Sequence, residues 1–290
     1  MHSVVSDMLN ESRPRSLDEH VRALREILQQ VALQGLWRGG FFQRAAFYGG
    51  TALRLLHGLD RFSEDLDFSL LAPDSSFDLA GQVEGLREEL VAFGFDLRVE
   101  VRGPAADSAI RSAFLKGGTR EQMLVLSAGE ELVRMIPMGQ VVKIKLEVDT
   151  DPPLGFETEL RYLFRPVPFA VRVYSLPDLL AGKIHAVLCR GWKSRGKGRD
   201  WYDLAWYAGH APHLRLSHLE SRMRQSGHWT EPCPLDEPAW RGLMEARIAA
   251  LDVAQARDEV ARIVADPRAL DVWSHDFFRA AVKQIIADKV

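Results

Sequence analysis

Two aspartates separated by one residue, Asp65 and Asp67, stand in the stretch GGTALRLLHGLDRFSEDLDFSLL, residues 49–71, behind a pair of glycines. In an extended chain, residues two apart project the same way, about 6 to 7 Å from each other at the ~3.3 Å rise per residue. Two ionised carboxylates at that separation repel by roughly 3 kcal/mol at an effective dielectric of about 20, so a cation has to answer them. Mg²⁺ suits the pair: it takes oxygen ligands and commonly binds through one or two carboxylates together with substrate phosphates. The plainer alternative is an exposed edge neutralised by Arg61 and solvent.

Neighbouring residues extend this chemistry. Gly49 and Gly50 let backbone approach a ligand closely, and a helix starting near Thr51 aims unpaired N–H groups at an anion such as a triphosphate. In KIKLEVD, residues 143–149, Lys143, Lys145, Glu147 and Asp149 share one face and Ile144, Leu146 and Val148 the other. Glu147 is thus a third carboxylate for a metal cradle, unless the face is simply solvated. Further on, Leu180, Ile184 and Leu188 make an apolar helical stripe that leaves Lys183 on another face with Val187 and Arg190. Lys193, Arg195, Lys197 and Arg199 then crowd between Trp192 and Trp201, a cluster that suits polyphosphate or an RNA backbone and equally suits a solvated loop. Asp200 and Asp203 follow, the first able to cap a helix and the second to pair with the loop. His185, with no second His or Cys at ligand spacing, reads as a packing residue.

The elements that must position these groups show in the periodicity. Ser16 and Glu19 make a capping box ahead of a helix over 16–35, AAFYGG is a short extended piece, and a short helix runs from Thr51 to His57. DLDFSLL alternates, with Leu66, Phe68 and Leu70 on one face and Asp65, Asp67 and Ser69 on the other. A helix over 77–93, ending at Gly94, precedes a strand in FDLRVEVR; residues 108–140 show no single period. FAVRVY is another strand, followed by Ser175 as a helix cap. From there the pattern is helical over 176–190, 200–209, 213–225, 237–251, 253–265 and 274–288. The expectation is an α+β lobe with a mixed sheet over 1–174 and a helical lobe over 175–290.

Composition narrows the field. The 290 residues are 47% hydrophobic with a formal charge of -3, which excludes a global polycation and leaves nucleic-acid contact to local patches. Cys189 and Cys233 cannot form a disulfide framework, and no zinc signature is present. Neither a secretory leader nor an apolar run of ~18 residues stands out, so the expected location is the cytoplasm, without membrane contact.

The combination of GGTAL at 49–53, RFSEDLDF at 61–68, KLEV at 145–148, and KIHAVLCR followed by RDWYDL within 183–204 resembles the AbiEii/AbiGii toxin-type nucleotidyltransferases, MenT-like members of the DNA polymerase β-like superfamily. The resemblance implies a polymerase β-like core with a helical C-terminal lobe. It implies that Asp65, Asp67 and Glu147 hold Mg²⁺, with Mn²⁺ as a substitute, and that Gly49, Gly50, Thr51 and Ser63 lie at the nucleotide phosphates. Lys183 would contact the triphosphate and Asp200 or Asp203 complete the site, in a cleft between the lobes. The implied reaction moves a nucleoside monophosphate from an NTP to an acceptor, the 3′ end of tRNA, blocking translation, in a chain with a separately encoded antitoxin. Alternatives from the residues are a protein acceptor, a metal-dependent glycosyltransferase, and a non-catalytic RNA- or partner-binding module using loop 190–199.

Overall fold

The computed structural model describes residues 2–103, 108–190 and 197–288. Two helices lead, α1 (His2–Ser12) and α2 (Leu17–Arg38). Ser16 caps α2 by accepting the Glu19 N–H at 3.2 Å, and the Glu19 carboxylate returns to the Arg15 N–H at 2.6 Å, one residue earlier than the usual box. The Gln29, Val31 and Leu36 positions of α2 are buried, as is Gly35, where a Cβ would stand 2.5 Å from the Leu86 Cα. A glycine there permits the close crossing of α2 with the helix that carries Leu86.

β1 (Ala45–Tyr48), α3 (Gly49–His57) and β2 (Leu66–Leu70) follow, then α4 (Leu79–Ala92), β3 (Arg98–Arg102) and β4 (Ile110–Gly118). α5 (Thr119–Val125), α6 (Glu130–Met135), β5 (Val141–Asp149), β6 (Thr158–Leu163) and β7 (Phe169–Tyr174) complete this part. Among the described residues they form a seven-stranded mixed sheet in the order β3-β4-β5-β2-β1-β7-β6. β2 runs parallel to β5 and antiparallel to β1, and β1 runs parallel to β7.

The core lies on the face opposite the acidic side chains. Leu66 and Phe68 of β2 and Leu146 and Val148 of β5 are fully buried. Phe68 stacks on Phe47 at 5.1 Å and meets Phe41 edge-on at 4.9 Å. Burying such side chains contributes about 1.5–3 kcal/mol each, which fixes which face of β2 is wet. A slip of one residue would bury Asp67 instead.

The helical part comprises α7 (Leu176–Cys189), α8 (Lys197–His210), a short β8 (His213–Leu214), α9 (Leu216–Gln225), α10 (Glu237–Ala249), α11 (Val253–Ala261), α12 (His275–Gln284) and β9 (Ile286–Ala287), which pairs with β8. α7 packs on α8 and α9, and α8 on α11 and α12. Ser175 precedes α7 without accepting a backbone N–H; its hydroxyl instead donates to buried Asp178 at 2.6 Å, whose other oxygen pairs with Arg215.

The chain divides into two compact units: Met1–Leu56, Ser63–Pro152 and Leu160–Val173 in the first; His57–Phe62, Pro153–Glu159 and Tyr174–Val290 in the second. Two short segments that precede residue 174, 57–62 and 153–159, therefore count with the helices.

Candidate active site

In the first unit, β2 and β5 lie side by side with Asp67 in register with Glu147, Leu66 with Leu146, and Phe68 with Val148. Residues paired directly across a ladder project to the same face, so Asp67 and Glu147 occupy adjoining positions on one face of the sheet. On the other side of β2, Tyr48 pairs with Asp67, and the next residue, Gly49, opens α3 with φ +84°. A Cβ on Gly49 would stand 2.7 Å from Oδ2 of Asp67. Both the left-handed backbone and the closeness of the carboxylate require glycine here.

Asp65 is exposed just before β2, and buried groups set its backbone. The Thr51 hydroxyl donates to the Asp65 carbonyl at 2.5 Å and lies 2.9 Å from the Ser63 hydroxyl. Thr51 is 1% exposed, so its side chain holds the chain that carries the aspartates. Gln29 of α2 adds bonds to the Ser63 and Glu64 carbonyls at 3.1 and 2.9 Å, and Arg25 pairs with Glu64 at 2.8 Å. Ser69 is buried and donates to the Leu70 carbonyl, which confines the accessible acidic part of β2 to its beginning.

The donor set suits a hard divalent ion. Asp67 and Glu147 offer only oxygens from adjoining strands, and the missing Cβ of Gly49 leaves the Asp67 carboxylate its place. One or two carboxylates suffice for Mg²⁺ when phosphates and water complete its shell. Among the described residues, no group of three or more His, Cys, Asp or Glu could hold a metal by itself. Glu147 pairs with Lys145 at 2.7 Å, and the Ser112 hydroxyl lies 3.4 Å from its carboxylate.

The second unit gathers the other charged residues. Lys183 of α7 places Nζ 2.6 Å from Asp203 and 3.5 Å from Asp200, both on α8, and Arg190 lies 3.8 Å from Asp200. Asp203 is fully buried, and Arg61 grips it with two hydrogen bonds of 2.6 and 2.7 Å. Burial opposes the Asp203 charge, but Lys183 and Arg61 outweigh it and hold this carboxyl below the ordinary range. Arg61 is therefore a buried partner of Asp203, and the solvated edge that the plainer reading assigned to it is not where it lies. Asp200 and Asp203 together answer Lys183 and Arg61, so this cluster is close to charge balance. Asp60, beside Arg61, accepts from the Tyr202 hydroxyl at 2.5 Å.

Trp201 is buried against Phe278 at 4.8 Å, so it packs the helices. Of the basic loop, Arg199 is exposed, whereas Trp192, Lys193, Arg195 and the Lys197 side chain fall outside the described residues. His185 sits 2.9 Å from the Ser226 hydroxyl, and burial lowers its pKa to about 4.

The family of nucleotidyl transferase AbiEii toxins, type IV toxin–antitoxin system, matches residues 31–281. The chain belongs to the AbiEii family. AbiEii membership makes it a nucleotidyltransferase, with an NTP as substrate and an antitoxin as counterpart. Two solved Helicobacter pylori structures are similar: a candidate nucleotidyltransferase, 16% identical over 90% of this chain and 91% of that one with TM-score 0.48, and JHP933, 15% identical over 90% and 88% with TM-score 0.48. No curated protein matches. Among the described residues, this AbiEii chain has no helix long and apolar enough to cross a membrane.

Two supports escaped the sequence pattern. Gln29 is one polar residue inside an amphipathic helix, and its burial was the only available signal, visible in its place among Leu28 and Val31. Arg61 lies next to the acidic motif, where nothing local points to a partner on α8.

Proposed function

We propose that this AbiEii enzyme is Mg²⁺-dependent and transfers a nucleoside monophosphate from an NTP to the 3′ end of tRNA, blocking translation in the cytoplasm. The observation that carries the reading is the register pairing of Asp67 with Glu147, with Gly49 closed against Asp67. Asp65 and Asp67 would hold the ion, Glu147 lying beside them, and Mn²⁺ is a reasonable substitute for an all-oxygen donor set. The ion, when bound, neutralises phosphate charge and favours ionisation of the attacking hydroxyl.

The transfer forms a bond between the acceptor oxygen and the α-phosphorus and breaks the bond from that phosphorus to the bridging oxygen of the pyrophosphate. The hydroxyl proton leaves to a base or to water. The chain's part is placement. Thr51, Ser63 and Gln29 fix the backbone ahead of Asp67, and the glycine-started helix α3 directs its N-terminus at phosphate. Lys183, oriented by its ion pairs with Asp203 and Asp200, is the cation we assign to the triphosphate.

Incubating the purified protein with each labelled NTP, Mg²⁺ and total tRNA tests the reading. Labelled tRNA is expected, with Asp67→Ala inactive and non-toxic on expression. A folded protein that labels nothing with any NTP would overturn it.

A further inference from the structure

The sheet face that carries Asp67 and Glu147 continues across β5, β4 and β3. Register places Lys143 opposite Lys116 and Lys116 opposite Arg98; Lys145 stands opposite Phe114 and Phe114 opposite Glu100; Glu147 stands opposite Ser112 and Ser112 opposite Arg102. All of these project to one face, because the intervening Ala113, Leu115, Ile144 and Leu146 are the buried ones. Five cations, Arg98, Arg102, Lys116, Lys143 and Lys145, thus share a surface with Glu100, Glu147 and, at the end of β5, Asp149. Glu100 pairs with Lys116, and Glu147 with Lys145.

Phe114 organises the strip. Arg102, Lys116 and Lys143 lie 4.5, 5.6 and 4.3 Å from the centre of its ring. The ring's negative face holds three like charges together that would otherwise repel. At 5% exposure Phe114 is covered by them, so the middle of the strip is charge over an aromatic floor. A protein partner would need an apolar centre there. A phosphate backbone needs only the charges.

We propose that this face of β3, β4 and β5 is the track for the acceptor RNA, taking the sugar-phosphate backbone of a single-stranded end and leading it along β5 to Asp67. The inference rests on the RNA-acceptor reading above and adds the surface that recognises it. Neighbouring strands are about 4.8 Å apart, so the track from β3 to β2 spans roughly 14 Å, room for a few nucleotides. Recognition is of backbone charge, and binding is correspondingly salt-dependent.

The test is the affinity of wild type, Arg102→Gln/Lys143→Gln and Glu100→Gln for a single-stranded RNA oligonucleotide with a free 3′-hydroxyl and for total tRNA, titrated between about 50 and 200 mM salt. The double variant is expected to bind about tenfold more weakly at low salt, with the slope of log K against log salt reduced by about 1.4, or ~0.7 for each lost phosphate contact. Glu100→Gln, which removes an anion from the strip, is expected to bind more tightly, an outcome that misfolding cannot produce. Equal affinity and slope in all three proteins overturns the track, as does wild type that labels only protein acceptors in a lysate. Wild type that transfers no label yet shows this pattern of RNA binding overturns the proposed reaction and leaves the track standing.

Discussion

Arg61 donates two hydrogen bonds to a carboxylate 142 residues away, from Nε to Oδ1 of Asp203 at 2.6 Å and from Nη2 to Oδ2 at 2.7 Å. The same Oδ2 takes the Lys183 ammonium at 2.6 Å. Removing Arg61 leaves Asp203 buried with Lys183 as its one cation, and Lys183 is shared with Asp200. Arg61→Met is expected to cost about 3–5 kcal/mol, as breaking a buried pair does. Arg61→Met/Asp203→Asn should be less destabilised than the sum of its single changes, since it buries no orphan charge. Denaturant unfolding of the four proteins in the cycle decides; simple additivity sinks the assignment.

Gly49 tests the acidic site without touching a charge. Alanine must adopt φ +84° and place Cβ 2.7 Å from the Asp67 carboxylate. The backbone strain should lower stability by about 1–3 kcal/mol. Displacing the carboxylate by a fraction of an ångström to about 1 Å should lower kcat on the order of 100-fold. Rates measured well below the melting temperature separate the two effects, and an active Gly49→Ala speaks against Asp67 as the central acid.

Thr51 is distinguished from a phosphate ligand by its substitutions. Thr51→Ser keeps the bond to the Asp65 carbonyl and should retain most activity. Thr51→Val keeps the shape, strands that carbonyl and should cost about 1–3 kcal/mol of stability along with activity. Equal damage from both changes would point away from the hydroxyl.

Acid stability should carry the signature of His218. This residue is fully buried, and Arg222 donates to its Nε2 at 2.9 Å, a bond that only the unprotonated nitrogen accepts. Burial, with Arg222 and Arg215 adding to it, lowers its pKa from 6.5 to about 3, while the nearby Leu154 backbone opposes the shift. The unfolded chain therefore binds a proton that the folded one refuses between these values. Stability is complete above about 6.5 and declines as pH falls toward about 3, by up to ~1.4 kcal/mol per pH unit. His185, lowered to about 4, acts in the same direction. Unfolding midpoints measured from pH 7 to 4 should fall less steeply in His218→Gln than in wild type; parallel curves would remove His218 from the account.

Much of the site was legible because alternation in DLDFSLL and KIKLEVD has only one solution once Phe68 and Leu146 must be buried. That Asp67 and Glu147 are neighbours was a matter of register between strands far apart in sequence, which periodicity does not carry. β4 was hidden because Arg111 and Lys116 sit among apolar residues and Gly117 and Gly118 end it, so neither period dominates. β6 was hidden for another reason: as an edge strand it leaves Leu160 56% and Tyr162 63% exposed, and its pattern matches no burial rule. α1 went unread because its buried side, Val5, Met8 and Leu9, is too short to show a period. The Arg61 partner was out of reach, since the segment that bears it belongs by sequence to the sheet and by packing to the helices.

That segment has a consequence for inheritance. Residues 57–62 lie between the glycine pair and the two aspartates, yet fold with the second unit, as do residues 153–159. No single crossover in the gene can exchange one unit for a homologue's while sparing the other. A recombinant joined near residue 174 would bring its own Arg61 to a foreign Asp203, so the two halves of this toxin are expected to diversify together or not at all.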